Sequence, residues 1–503
     1  MLCKHYGAVT ECRIIICAWA RRAYDAAVMW KQRNQACPNC ERLLKRVRRL
    51  EERLSDLEAE LAKAKKHSGN SSKPPSSDIV KPPPRQHQAA ETSGQVKRQR
   101  GAQPGHPRHQ RQPFDPQEID VTWIHYYTGC PCCGGKLVDL DEPESILQQV
   151  EIKELPFRVE EHRRVGQQCS ECHKVHRVPW PEELKKAGLV GPRLTALIGY
   201  LKSACHMSFS SIRKFLRDCV GLSISRGQLR KLVAKVADSL LDPYEQLLAL
   251  LPKEDNLNVD ETGHKENGKR LWTWCFRAAL YTVYKISPSR GSDVLVEVLG
   301  AEFDGVLGCD YFSAYRKYMK DCNVVVQFCL AHFIRDVKFL AEHPNPKNRR
   351  HGERLLNRLR QLFGIIHRRD EYPTEAGFRR ALRRVRGDLV YEAIMESPGT
   401  READNLGNRF VTHFESFFTF ITTPGVEPTN NLAEQAIRFV AIHRRITQGT
   451  RSETGRSWCE RIWTAVATCE QQGRSLYRYL CEALANAFHS RPVPALIPLP
   501  DTS

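Results

Sequence analysis

Leu257-Asn258-Val259-Asp260-Glu261-Thr262 is a run in which apolar and polar residues alternate and two acids come last. Period-two alternation turns one face of a strand toward a core, so the run reads as a short strand that carries carboxylates at its end. Downstream, Leu271-Trp272-Thr273-Trp274-Cys275-Phe276-Arg277-Ala278 reads as a second strand and Leu280-Tyr281-Thr282-Val283-Tyr284-Lys285-Ile286 as a third. A helix over Ser292 to Leu299 precedes Gly305-Val306-Leu307-Gly308-Cys309-Asp310, a buried strand that again ends in an acid. Val324-Val325-Val326-Gln327-Phe328 is a further strand, leading into a helix through His332. Antiparallel strands followed by a parallel strand and its crossover helix make an α/β sheet.

Residues 341 to 423 are arginine-rich and helical in pattern. Beyond them stands Pro428-Thr429-Asn430-Asn431-Leu432-Ala433-Glu434-Gln435-Ala436-Ile437-Arg438, where Thr429 or Asn430 caps a helix and Glu434 sits about one turn in. Asp260, Asp310 and Glu434 thus come from three separated segments. Three such carboxylates can converge on two magnesium ions, which take oxygen ligands. A pair of ions roughly 3.5–4 Å apart activates the attacking oxygen of a phosphodiester displacement and stabilises the leaving one. Spacing alone leaves a second reading open, since acids at strand ends also serve as caps and solvated surface.

Upstream of the sheet the chain changes character several times. Residues 1–36 show no clear periodicity. From Cys40 on, Leu43, Val47, Leu50, Leu54, Leu57, Leu61 and Ala64 alternate spacings of four and three amid charged residues. Such a heptad seam over 37–67 predicts a coiled coil that pairs protomers, in preference to one amphipathic helix packed on its own protein. Residues 68–116 are a Pro/Ser/Gly-rich linker in which Lys97, Arg98 and Arg100 either track a phosphate backbone or merely keep a tether soluble. Within 117–185, Cys130-Pro131-Cys132-Cys133 and Cys169-Ser170-Glu171-Cys172-His173 flank a stretch, Ile146 to Val165, with strand-like alternation. Two C-x-x-C turns supply four thiolates, so Cys130, Cys133, Cys169 and Cys172 are the expected ligands of one structural zinc ion, with Cys132 and His173 as substitutes. Cys37 and Cys40 have no partner pair nearby and read as free thiols in preference to a metal site shared across a dimer. Residues 186–250 read as three helices, the last capped by Ser225 and carrying Arg226, Arg230, Lys231 and Lys235. They fit a DNA-binding helix-turn-helix or an ordinary helical connector.

Composition narrows the class. A chain of 503 residues exceeds what one core supports, so several domains are expected. Lysine and arginine total 77 against 58 acids, a net charge of +19, which points to a polyanion such as nucleic acid. Nineteen scattered cysteines suit a reducing compartment. No apolar run approaches the ~20 residues of a membrane span, and Ile14 to Ala20 is too short for a secretory signal, so no membrane association and a cytoplasmic location are expected.

The motifs together resemble a bacterial DDE transposase of the insertion-sequence-sixty-six family, from about Glu41 to Arg478. The resemblance rests on the heptad segment followed by Asn70-Ser71-Ser72-Lys73-Pro74-Pro75-Ser76-Ser77-Asp78, on Gly101 to His106, and on the two cysteine knuckles. It rests further on Val259-Asp260-Glu261-Thr262, on Asp310-Tyr311-Phe312-Ser313-Ala314-Tyr315, and above all on Asn430 to Arg438. Cys329-Leu330-Ala331-His332 is similar to a C-x-x-H signature of related transposases.

The family implies a ribonuclease-H-like catalytic domain over 251–340 and 425–503, with a helical insertion over 341–424. It implies Asp260, Asp310 and Glu434 as the magnesium-binding catalytic triad, with Glu261 replacing Asp260 if the register is off by one. Cys329 and His332 would support the active-site fold, or else be a buried thiol and a core histidine. Asn430, Asn431 and Arg438 would order the glutamate helix or else touch DNA, and Arg444 and Arg445 would contact DNA phosphates. The implied activity is cleavage of element ends and their joining to target DNA, with small companion proteins as further partners. A structure-specific nuclease of the same fold and an inactive sequence-specific DNA-binding protein are the alternatives. The run His443-Arg444-Arg445-Ile446-Thr447 departs from the family's usual arginine-lysine-asparagine, which leaves the detail of end recognition open.

Overall fold

The computed structural model describes residues 38–66, 114–122, 131–136, 148–149, 157–168 and 170–497. Residues 1–36, Cys37, the linker residues Lys97, Arg98 and Arg100, and the knuckle cysteines Cys130 and Cys169 lie outside the described residues. In chain order the elements begin with α1 (Pro38–Ala64), β1 (Gly166–Gln168), β2 (Val175–Arg177), α2 (Glu182–Ala187), α3 (Pro192–Ser203), α4 (Phe209–Phe215), α5 (Arg226–Ser239) and α6 (Leu241–Leu250). Then come β3 (Asn256–Glu266), β4 (Lys269–Arg277), β5 (Thr282–Ser287), α7 (Ser292–Leu299), β6 (Val306–Cys309), α8 (Ser313–Cys322) and β7 (Val325–Phe328). The series ends with α9 (Leu330–Ala341), α10 (Pro346–His367), α11 (Glu375–Met395), α12 (Arg401–His413), α13 (Asn431–Thr447), α14 (Glu453–Gln471) and α15 (Leu476–Phe488). No helix among the described residues is long and apolar enough to cross a membrane.

The chain divides into two compact units, Met1–Pro83 with Gln327–Pro428, and Pro84–Val326 with Thr429–Ser503. The first is helical. Its core is aromatic: Phe333, Phe410 and Phe417 meet with ring centroids 4.8–5.6 Å apart. Gly352 lets α10 close on α9, since a Cβ there would fall 2.4 Å from the Ala341 nitrogen. Arg354 and Arg358 of α10 both pair with Glu392 of α11. The far end of α1 packs on its own unit: Ala62 is buried, Asn345 donates to Glu58 Oε2 at 2.9 Å, and Lys66 Nζ lies 4.5 Å over the Phe339 ring. The heptad seam from Leu43 to Leu61 is instead exposed.

A five-stranded mixed sheet runs in the order β5-β4-β3-β6-β7, and all of it except Gln327 and Phe328 of β7 belongs to the second unit. β3, β4 and β5 form an antiparallel meander, and β6 returns through α7 to lie parallel to β3. The outer edge of β5 is closed by side chains of α14. Thr282 N donates to Thr468 Oγ1, Tyr284 N to Thr464 Oγ1 and Ile286 N to Glu460 Oε1. Every second strand residue thus meets every fourth helix residue. The match holds because two strand residues and four helix residues advance about 6.7 and 6 Å. An edge covered in this way offers no row of free donors to another strand.

Around the sheet, α15 packs on α3 and α5. Ser208 and Ser225 cap α4 and α5, accepting from Ser211 N and Gln228 N. The helix expected from Ser208 to Cys219 widens into a π turn at Leu216–Val220 before Gly221, in the left-handed region, ends it. β1 and β2 form a small antiparallel hairpin with Cys172 in its turn. The alternation over Ile146 to Val165 sets no strand in its described part (148–149 and 157–165). Val159 and Val165 are exposed there, so no core face fixes an extended register.

Candidate active site

β3 pairs with β6 in the parallel register Asn256↔Val306, Leu257↔Leu307, Asn258↔Gly308. Continued by two residues, that register sets Asp260 level with Asp310. Gly308 is needed opposite Asn258, because a Cβ would lie 2.6 Å from the Asn258 amide nitrogen. The same amide group reaches the start of α13. Asn258 Nδ2 donates to Asn430 Oδ1 at 2.9 Å, and Asn430 Nδ2 donates to the Val259 carbonyl at 2.7 Å. Asn430 stands at the N-cap position of α13, yet its side chain makes no cap hydrogen bond. It is turned into the sheet and ties the start of α13 to β3 one residue before Asp260. Farther along α13, Tyr284 Oη donates to the Ala436 carbonyl at 2.9 Å, and Tyr244 Oη donates to the Tyr284 carbonyl at 3.0 Å. Glu434, in the first turn of α13 and half-buried, is therefore carried on a helix fixed at two points.

Asn430→Ala would leave the Asn258 amide and the Val259 carbonyl without these partners in a buried place. We expect it to lower stability by about 2–4 kcal/mol. Asn430→Asp, which keeps the acceptor and loses the donor, should fall between the two. Chemical denaturation of the purified chain measures both, and a loss under about 0.5 kcal/mol for Asn430→Ala would show that the clamp does not hold the helix.

The acids bear unequally on one another. Burial, then the charges of Glu261, Asp310 and Glu434, hold the Asp260 carboxyl well above the usual carboxylate range, against one opposing hydrogen bond from the Glu261 N–H. Asp260 makes no ion pair with any described residue. Asp310 accepts from the Phe312 N–H at 2.9 Å, which fixes the loop after β6.

Glu261 is differently placed. The β3–β4 register pairs Asp260 with Cys275 and Glu261 with Trp274, so the two acids start from opposite faces of the sheet. The Glu261 side chain is buried. Its Oε1 accepts from Arg290 Nε at 2.8 Å, and its Oε2 accepts from Tyr315 Oη. Burial and the Asp310 charge push its carboxyl up, while the Tyr315 and Arg290 contacts act the other way.

The remaining expected site residues are spread through the chain. Arg226, Arg230 and Lys231 are exposed on α5, and Arg226 also bonds Ser210 Oγ. Arg438 and Arg445 are exposed on α13, whereas half-buried Arg444 donates to Thr262 Oγ1 at 3.2 Å. Cys329 is buried at the N-cap position of α9 and His332 lies in that helix's first turn, both in the helical unit. Cys132, Cys133 and Cys172 are exposed thiols. Arg290, Asn258 and Tyr284 carry no motif. Their one sequence signal is that each is a polar group in or beside an apolar strand, where a buried partner is required.

Sheet order, three acids from three elements and a net charge of +19 define an α/β protein with an acidic site in a basic chain. The chain belongs to the transposase IS66 family, whose model matches residues 187–457, just over half of it. Residues 24–112 match a second model, that of a family of unknown function. Among curated relatives, the uncharacterized protein y4hP of Sinorhizobium fredii is 25% identical over 75% of this chain and 73% of the relative. The uncharacterized protein y4jD of the same organism is 23% identical over 71% and 74%.

Proposed function

We propose that this chain is a DNA transposase that cuts the ends of an insertion element and joins them to target DNA, with Asp260, Asp310 and Glu434 as its catalytic carboxylates. The observation that carries the reading is the fixed placement of Asp260 level with Asp310, beside a clamped helix bearing Glu434. The strand order β5-β4-β3-β6-β7, a three-stranded meander joined by a parallel strand, supports a ribonuclease-H-like catalytic domain. Membership of a transposase family supports DNA as the substrate.

The donor set fits magnesium. Four carboxylates crowd together, no described cation pairs with Asp260, and oxygen ligands are what a hard divalent ion takes. Asp260, Asp310 and Glu434 would hold two such ions, and when bound these supply charge neutralisation for the attacking and leaving oxygens. Glu261, with both oxygens engaged, is left out of that set. Asn430 and Tyr284 keep Glu434 at its distance, and exposed Arg438 and Arg445 offer charge to the DNA backbone. Arg226, Arg230 and Lys231 on the capped helix α5 suit the second helix of a helix-turn-helix. Cys133 and Cys172 sit on exposed turns, as zinc-knuckle thiolates do, and with Cys130 and Cys169 would hold one structural zinc. The leucine seam of α1, 47–62% exposed at Leu43, Val47, Leu50, Leu54, Leu57 and Leu61, fits pairing with a second copy.

The test is a cleavage and strand-transfer assay on DNA bearing the element ends, in magnesium and then manganese, with companion proteins of the element added in parallel. Joined products from the native chain and none from Asp310→Asn are expected. Cleavage without joining would favour a nuclease, end binding without cleavage an inactive DNA-binding protein, and equal cleavage by both chains would overturn the Asp310 assignment.

A further inference from the structure

The loop that carries Asp310 is bordered by a row of stacked cations and rings, all in the sheet-bearing unit. The Arg270 and Arg290 guanidinium carbons lie 4.6 and 4.5 Å from the centroid of the Trp272 ring. Arg290 also lies 3.9 Å over Phe312, and Arg316 lies 4.7 Å over Tyr311. Tyr311 and Phe312 directly follow Asp310, while Trp272 stands opposite Gly263 in the β3–β4 register, two residues past Glu261.

The members of the row are not equivalent. Arg290 is committed, since its charge is matched by buried Glu261. It acts as the pillar that ties the row to the strand bearing Asp260. Arg270 is exposed, and its side chain makes no hydrogen bond or ion pair with any described residue. Arg316 is half-buried, with its Nε lacking a partner among the described residues. A guanidinium stacked on a ring uses its face and keeps its N–H edge, which is the part that binds phosphate. Trp272 is half-buried, so its indole is part of the surface.

We propose that Arg270, Trp272 and Arg316 form a platform for an unpaired stretch of DNA strand next to the scissile phosphate. Bases stack on the exposed Arg270–Trp272 end, and the guanidinium edges of Arg270 and Arg316 contact flanking phosphates. This deepens the transposase reading and rests on it for the position of the scissile bond. An unpaired strand is favoured over intact duplex because paired bases already have both faces stacked, while planar groups at a surface recognise a free base face. Arginine alternating with aromatic rings gives the backbone charge and the base platform at the same place.

The experiment uses the full chain and two labelled duplexes of the element end. One is fully paired and the other carries a short unpaired flank at the cleavage point. Binding is measured by anisotropy with calcium in place of magnesium, and cutting separately with magnesium. The native chain should prefer the flanked duplex by roughly 5- to 100-fold, the worth of stacking one base. Trp272→Ala should abolish the preference without changing affinity for the paired duplex. Trp272→Phe should keep most of it. Arg270→Ala, an exposed change that leaves the core intact, should reduce it. Absence of a preference in the native chain, or an equal loss on both duplexes in Trp272→Ala, overturns the platform. A preference that Trp272→Ala removes, in a chain that never cuts, would uphold the platform and sink the transposase reading instead.

Discussion

Asp260→Asn should lower strand cleavage on the order of 10³-fold, the scale seen when one electrostatic partner of a transition state is removed, and should make the protein more stable. The second half of that statement follows from the site's own electrostatics. Burial and three neighbouring acids raise the Asp260 carboxyl well above its unfolded value. The native state therefore holds this proton more tightly than the unfolded chain does. That favours folding at low pH and is lost as pH rises, so at neutral pH, where the unfolded chain ionises freely, the crowded carboxyl works against the fold. An amide of the same shape removes the repulsion, and a gain of about 0.5–2 kcal/mol is expected.

Glu261→Gln should cost stability instead, because its carboxyl, although also raised by burial and by Asp310, holds Arg290 and Tyr315. It breaks a buried contact with Arg290 and Tyr315, at a cost of about 1.5–3 kcal/mol, discounted because Arg290 is itself 38% exposed. Cleavage should fall by only about tenfold, through the displaced Arg290. Denaturation midpoints and single-turnover cleavage of the two variants separate the roles. Loss of cleavage with no loss of stability in Glu261→Gln, together with an active Asp260→Asn, would exchange the two assignments.

The adjacency of Asp260 and Glu261 shows where reading the sequence stops. Strand alternation puts consecutive acids on opposite faces, but it cannot say which face meets the helix of Glu434. The contacts of Glu261 distinguish them, and one of its partners, Arg290, is 29 residues away in a stretch without any motif. Local periodicity was enough for the helices at Pro38–Ala64 and Ser292–Leu299, for the strand through Asp260 and for the strand that ends just before Asp310, since each is a matter of spacing within a few turns. Asn430 was legible as a residue at a helix start. Its actual partners, Asn258 and the Val259 carbonyl, lie some 170 residues upstream and belong to tertiary structure alone. The same holds for Thr464 and Thr468, which in sequence are ordinary threonines on a helix and in the fold close a sheet edge.

Acid should loosen the sheet-bearing unit before ordinary carboxylates titrate, because of histidines that sequence inspection leaves scattered. His264, His443 and His206 gather near Trp463: His443 and His264 lie 5.3 and 6.2 Å from its ring, and the Nδ1 atoms of His206 and His443 are 3.2 Å apart. The groups facing them are Lys202 from α3, Arg444 from α13, and Arg456 with Cys459 from α14, with Glu266 bound to Arg456 and Thr450. Burial, then Lys202 and the other two histidines, bring His443 down to about 3, and burial with Arg444 and Arg456 brings His264 down to about 4. Burial and Lys202 lower His206 as well.

A depressed histidine favours the fold while both states are neutral and loses that advantage once the unfolded chain protonates, below about pH 6.5. The loss continues until the folded group itself titrates. Between pH 7 and pH 5, His443 and His264 together should cost about 3–4 kcal/mol. His443→Phe, which keeps a ring beside Trp463, should remove about half of that slope, read from denaturation midpoints at constant ionic strength. An unchanged slope would mean that His443 is protonated in the fold. Because the fold keeps His443 neutral down to about pH 3, the seat of Glu434 on the same helix is undisturbed at pH 5.5, and acid acts there through stability alone. Cleavage at pH 5.5 should therefore fall less in His443→Phe than in the native chain only under conditions, such as added denaturant, in which the native chain is partly unfolded.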